Sequence, residues 1–242
     1  MRARSKAISW RRVVVDICTQ RDFLQPGAIL QVANLQPLLA NLKSFFAWVR
    51  ASGLPVFSAV ESHRPSEPAV GFPLHCIDGT PGQGKLDFTL LNPHCLVEAD
   101  NSLALPPDLL KKYRQLIFRK RARDVLSNPK ADRFLTQLEA DEFIIAGVGL
   151  ERAIRGLALG LLVRHKTVTV VWDACGFWSH ADADLTLRQL AAKNIRLATT
   201  EEITAAVEPA SPRRRRPRPA DDRHRPDQPE SPDRLHPRTA SA

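Results

Sequence analysis

The sequence predicts an α/β protein, a three-layer αβα domain on a largely parallel six-stranded sheet. Three observations predict it. Short apolar, β-branched runs recur along the chain; longer segments with helical apolar spacing separate them; and the two kinds alternate. Parallel strands need a crossover connection for every pair, and the helices that make the crossovers cover both faces of the sheet.

The strand candidates in order are 12–16, 55–59, 115–119, 142–147, 167–173 and 195–198. Residues 32–52 place Leu35, Leu38, Leu39, Leu42, Phe45, Phe46 and Val49 on one helical stripe and stop at Gly53, a natural helix terminator. Further helices are expected over 131–140, 151–164 and 182–193, and no internal repeat is present. The division expected is an N-terminal extension over 1–11, one domain over 12–208 and a tail over 209–242.

Composition narrows the class. A chain of 242 residues, 43% hydrophobic and 25% charged, is ordinary for a globular domain. No apolar run reaches the roughly 18 residues of a membrane span, and the basic N-terminus lacks a signal peptide's apolar region, so no membrane partner and a cytoplasmic location are expected. Cys18, Cys76, Cys95 and Cys175 form no CxxC pair, and a chain of this size does not need stapling, so reduced thiols are expected. The net charge of +9 is uneven: 211–242 holds nine arginines against five acids and seven of the 19 prolines. Such a segment cannot bury enough apolar surface to order itself and reads as disordered. Its Arg213 to Arg216 cluster can attract phosphates or an acidic partner, or be a solvated tail; the body is only mildly basic, which argues against nucleic acid as its partner.

Folds of this kind bind ligands beyond the carboxyl ends of their strands. Asp16 ends the first strand, Glu61 and His63 follow the second, Lys120 ends a central one, and 147–151 leads from the next strand into its helix. An acid at the end of Val13-Val14-Val15 is by itself a turn or capping residue as readily as a catalyst. Lys120 lies within Arg119-Lys120-Arg121-Ala122-Arg123, and such a run also forms a solvated edge. Glu61, His63 and His75 can make a three-ligand metal site with an open position, although histidines so spaced are also common surface residues.

Longer motifs sharpen this reading. The run Phe72-Pro73-Leu74-His75-Cys76-Ile77-Asp78-Gly79-Thr80, the tripeptide Glu61-Ser62-His63, the opening Val13-Val14-Val15-Asp16 with Asp22-Phe23, the segment Phe118-Arg119-Lys120 and the run Trp172-Asp173-Ala174-Cys175 occur in that order. Together they resemble the isochorismatase and nicotinamidase-like cysteine hydrolases over about residues 12–198. Two departures stand beside the match: Glu61 replaces an aspartate, and two extra residues separate Asp16 from Asp22. The resemblance implies the isochorismatase-like, Rossmann-like fold and hydrolysis of a small amide C–N bond. It further implies a divalent metal, zinc or similar, on Glu61, His63 and His75, and Asp16 as proton acceptor beside Lys120. Gly149, Glu151, Ala153 and Phe23 would line the oxyanion and ligand site, and self-association through helical faces would follow. A strained peptide, often cis, is expected after Val148. In the family's Gly-Val-Ala-Thr-Asp-x-Cys-Val stretch the cysteine is the nucleophile; here the stretch reads Gly147-Val148-Gly149-Leu150-Glu151-Arg152-Ala153-Ile154, with alanine in its place.

Ala153 removes the covalent step, since Cys76 and Cys175 match family cysteines that are not nucleophiles and only Cys18, two residues past Asp16, lies in the neighbourhood. Three functions remain open. A metal enzyme would attack a small amide with Asp16 or Glu151 handling protons. A non-catalytic binding or regulatory protein would hold a small-molecule ligand without turnover and regain some hydrolysis with Ala153→Cys. In the third reading the arginine-rich tail carries the function.

Overall fold

The computed structural model describes residues 10–69, 71–100, 102–106 and 109–205. The tail expected over 209–242, and 1–9 of the expected N-terminal extension, lie outside the described residues. The last two residues of that extension belong to the first strand, β1 (Trp10–Ile17).

After β1 come a short helix α1 (Arg21–Leu24), the long helix α2 (Leu35–Ser52), β2 (Val56–Glu61), β3 (His94–Val97), the short α3 (Leu109–Lys112) and β4 (Gln115–Lys120). The second half holds α4 (Pro129–Gln137), β5 (Ala140–Val148), a π-helical turn (Leu150–Ile154), α5 (Arg155–Val163), β6 (Val168–Gly176), α6 (His180–Ala192), β7 (Arg196–Ala198) and α7 (Thr200–Thr204). All strand pairs are parallel, and the sheet has seven strands in the order β3-β4-β2-β1-β5-β6-β7. The expected six are all present. The seventh, β3, was hidden because it is a four-residue edge strand with exposed and buried positions mixed, so it carries no continuous apolar run.

The apolar runs fold as buried strands because helices cover both faces. Val13 to Val15, Val56, Phe57 and Phe143 to Ala146 are at most 1% exposed. Helix α2 buries Leu35, Leu38, Leu42, Phe45, Phe46 and Val49 and ends at Gly53 with φ 68°, the left-handed stop that its sequence announced. The helix expected over 151–164 is instead two pieces. Gly149 takes φ 91°, and the N–H groups of Arg152 and Ile154 both donate to its carbonyl at 3.0 Å, which winds the first turn wider than an α-helix. The peptide after Val148 is not cis; among the described residues the only cis bond is Asn92-Pro93, and a glycine that reaches positive φ makes the turn.

From β1 the chain builds outward through β2, and later β5 returns to the other flank of β1. The carboxyl ends of the strands around this switch point frame a crevice. Gly147 marks the tight spot beside it: φ is 126°, and a Cβ there would collide with the Ile17 backbone of the neighbouring strand. Gly147→Ala is therefore expected to cost about 3 kcal/mol or more, read as a lower midpoint in denaturant unfolding. Among the described residues no helix is long and apolar enough to cross a membrane.

Candidate functional site

At the carboxyl ends of β1, β2, β4 and β5 lies a cleft of about 680 Å³. Cys18, Phe23, Glu61, His63, His75 and Ala153 all line it, together with Gly149, Arg152, Phe72 and Trp178. Residues from 18 to 178 thus converge on one hollow.

Glu61 organises one end. Its Oε1 receives the Lys120 ammonium at 2.5 Å, and its Oε2 lies 2.7 Å from His75 Nε2 and 3.6 Å from His63 Nε2. The backbone of Glu61 is pinned by the Gln20 amide, which accepts from its N–H at 2.7 Å and donates to its carbonyl at 2.9 Å. His63 is tied to the His75 loop by backbone bonds, from its N–H to Cys76 O at 3.1 Å and from Asp78 N–H to its carbonyl at 2.8 Å. The Asp22 carboxylate holds the same loop through the Cys76 N–H at 2.6 Å.

Both imidazoles use Nδ1 away from the cleft, His63 with Glu67 at 2.9 Å and His75 with the Pro73 carbonyl at 2.7 Å. Both partners are acceptors, so each Nδ1 carries the proton and each Nε2 of a neutral ring offers a lone pair toward Glu61 Oε2. His63 Nε2 is buried with no hydrogen-bond partner. Three acceptors within 4.8 Å of one another therefore face a common point. Only cations, protons on the rings or a metal ion, satisfy that arrangement, and two histidines with a carboxylate are a donor set that zinc-like metals accept.

Charges follow from these contacts. Burial pushes the Glu61 carboxyl up, but Lys120 and the close His63 and His75 rings outweigh it and hold the group well below the ordinary value. The Glu61 carboxylate 3.6 Å away raises His63, against its burial and with help from Glu67. Burial alone would lower Lys120; the negative charge that Cys18 and Glu61 can carry raises it instead.

The expected pairing of Asp16 with Lys120 is not what the structure contains. Asp16 is fully buried inside β1 and does not line the cleft. Its Oδ1 accepts from Thr19 at 2.9 Å, and its Oδ2 accepts from Ser58 at 2.8 Å and from the buried Lys85 ammonium. Gln115 extends this network by donating to Ser58 Oγ at 2.8 Å. The physical reason is strand length. Asp16 still lies within β1, and the chain turns out of the strand only at Cys18, two residues later. Cys18, with φ 52° and just past β1, is the side chain that reaches the cleft, its Sγ 3.8 Å from Glu61 Oε1. Its burial, with Glu61 and Asp16 nearby, drives the thiol up to about 12 despite Lys120 and Lys85.

Across the cleft, Ala153 is 5% exposed and stands beside Gly149 on the π-turn. Glu151 does not line the cleft; its Oε1 accepts from the Trp178 N–H at 2.8 Å and the Ser179 N–H at 3.3 Å, tying the π-turn to the loop after β6. Trp178 is further fixed by its indole N–H on the Leu30 carbonyl at 3.1 Å. Phe23, Phe72, Trp178 and His75 pack edge-to-face and tilted, with ring centroids 5.0 to 6.4 Å apart, and form an aromatic wall.

The Isochorismatase domain profile matches residues 13–202. The chain belongs to the isochorismatase family. Solved structures agree in fold. An isochorismatase family protein from Desulfovibrio vulgaris superposes with a TM-score of 0.63 at 20% identity, covering 82% of this chain and all of that one. An isochorismatase-like hydrolase from Alkaliphilus metalliredigens gives 0.62 at 19%, covering 85% and 99%. A pyrazinamidase from Pyrococcus horikoshii, in complex with zinc, gives 0.58 at 18%, covering 78% and 99%. No curated protein matches the chain.

Sequence reasoning gave no role to Arg152 or Trp178, which line this isochorismatase-family cleft, or to Lys85, which pairs with Asp16 outside it. Arg152 and Trp178 are single residues on turns, with no spacing to flag them. Cys18 did have a signal. The two extra residues between Asp16 and Asp22 mean that counting back from Asp22-Phe23 at the family spacing arrives at position 18.

Two outcomes follow from the buried pairs. Lys85→Met leaves the Asp16 charge without its cation in the interior and is expected to cost about 3–5 kcal/mol, measured by chemical denaturation. For Glu61, whose folded value lies below 4.5, the stabilisation is complete above pH 4.5 and fades as pH falls toward the folded value. For His63, whose folded value lies above 6.5, it is complete below pH 6.5 and fades as pH rises through the folded value. Metal-free protein is thus expected to show a Tm plateau between those values that Glu61→Gln flattens, as thermal melts in EDTA across pH would record.

Proposed function

We propose that this chain is a ligand-binding member of the isochorismatase family that has left the covalent thiol chemistry behind. Its cleft holds a small amide or related carbonyl compound, and Glu61, His63 and His75 hold a divalent metal such as zinc. One observation carries the reading: Ala153 stands in the cleft where a nucleophile would be needed, and the acid, lysine and thiol that would support or replace it are engaged elsewhere or protonated. Asp16 is committed to Lys85, Ser58 and Thr19. Lys120 is committed to Glu61, and Glu151 Oε1 to two backbone N–H groups. The Cys18 thiol, pushed up to about 12, stays protonated at neutral pH. A binding site needs none of these to be free, only an apolar hollow with a few convergent polar groups.

The orphaned Nε2 of His63 and the Nδ1 partners of both imidazoles support the metal. The zinc of the Pyrococcus pyrazinamidase is consistent with it. Such a metal, when bound, polarises a carbonyl oxygen or lowers the pKa of bound water. Around it, Lys120 would keep Glu61 ionised, Glu67 would fix the His63 tautomer, Phe23 and Gly149 would shape the ligand space, and Glu151 would hold Trp178 in place.

A second reading, metal-assisted hydrolysis without a thiol, is favoured by one feature: the Glu61-His63-His75 triad opens onto the same hollow as Ala153. A third places the function in the arginine-rich tail, and salt-sensitive nucleic-acid binding that disappears on deleting 211–242 would support it. The further expectations of a single domain over 12–208, self-association and a cytoplasmic location stand as parts of this proposal.

Zinc is expected to bind at one site per chain by calorimetry, and Glu67→Gln, which removes the carboxylate behind His63, is expected to weaken it about 10- to 100-fold. Ammonia release from a panel of small amides is expected to stay at background with and without zinc, and to remain there in Ala153→Cys, because Asp16 faces Lys85 and cannot deprotonate the new thiol. Metal-dependent release that survives cysteine blockade would replace this proposal with the second reading.

A further inference from the structure

We propose that the cleft selects an anion, a planar carboxylate whose charged end docks on Arg152 while its flat body lies along the aromatic wall. This inference rests on the ligand-binding reading above and narrows it to a class of ligand.

Arg152 directly precedes Ala153 on the π-turn and lines the cleft. Its guanidinium carbon lies 3.8 Å from the Phe72 ring centroid and 5.7 Å from that of Trp178, so two aromatic rings fix where the cation sits. Its NH1 is buried and has no hydrogen-bond partner among the described residues. A guanidinium nitrogen withdrawn from water with nothing to donate to is costly, and a ligand that accepts from it recovers the loss.

The surrounding charges do not do so. Burial and then the like charge of Arg123, which lines the same cleft, lower the Arg152 pKa. The acidic groups on the cleft wall are engaged elsewhere. Glu61 is bound by Lys120 and His75, Glu67 by His63 and Arg121, and Asp124 accepts from the Leu126 N–H. The neighbouring Glu151 spends Oε1 on the Trp178 and Ser179 backbone. The negative charge of Glu151 acts on Arg152 from nearby, yet no carboxylate among the described residues accepts from its NH1, and the planar fork of a guanidinium matches a carboxylate. The flat surfaces of Phe72 and Trp178 suit a conjugated or aromatic ligand, and the methyl group of Ala153 leaves its edge room.

Benzoate and benzamide separate charge from shape, since they are near-isosteres. With the full chain stripped of metal by EDTA, benzoate is expected to bind at least about tenfold more tightly than benzamide in calorimetry, as charge-assisted hydrogen bonds imply. Added NaCl should weaken benzoate and leave benzamide unchanged. Arg152→Gln, checked for folding by circular dichroism, should remove the preference by weakening benzoate alone. Arg152→Lys keeps the charge without the fork and should retain part of it, which preserves the test if the glutamine variant does not fold. Equal affinity for the two probes, or full benzoate affinity in Arg152→Gln, overturns the anion inference and leaves the proposed binding function standing. Failure of both probes to bind overturns both.

Discussion

The cleft is organised by one carboxylate. Glu61 ends β2 with one oxygen against the Lys120 ammonium and the other against two imidazoles, while Gln20, just before α1, clamps its backbone. A carboxylate this buried is tolerable only because a cation meets it directly, and the same cation leaves its second oxygen charged and available. The His75 loop, the Asp22 turn and the Cys18 side chain are all placed with reference to that group. Without it, the two histidines would have no common point to face.

A second buried pair lies beneath the first. Asp16 and Lys85, with Thr19, Ser58 and Gln115, fill the space between β1, β2 and the segment carrying Lys85 with mutually satisfied polar groups. The two pairs divide the work: the one at the end of β2 turns its second oxygen toward the two imidazoles, and the one within β1 is closed on itself. This division is why a carboxylate at the end of an apolar strand does not by itself make a base.

The sheet was legible in the sequence wherever a strand was buried on both faces, as at Val13 to Val15 or Phe143 to Ala146, because such strands must be written as apolar runs. The edge strand β3 has one neighbour and needs no such run. The metal-capable residues were legible through the Glu61-Ser62-His63 tripeptide and the run containing His75, since ligands that approach one point must come from fixed places on turns. The partner of Asp16 was not. Which lysine meets which acid depends on how many residues the strand runs before it surfaces, and β1 runs on past Asp16 before the chain turns at Cys18. Arg152 was invisible for a related reason: its direction is set by the left-handed backbone of Gly149, and a side chain's heading cannot be read from its type.

The π-turn over Leu150–Ile154 holds one more residue than an α-helical turn would. Extra residues of this kind give up some backbone hydrogen-bond quality in exchange for a local change of heading. Losing a single residue there would let the segment relax into regular helix and swing everything after it by about 100° around the axis. The guanidinium and the small side chain that face the hollow would then turn toward a neighbouring layer. Hollow shape and helix regularity are in competition at this turn, and the molecule has settled it in favour of the hollow.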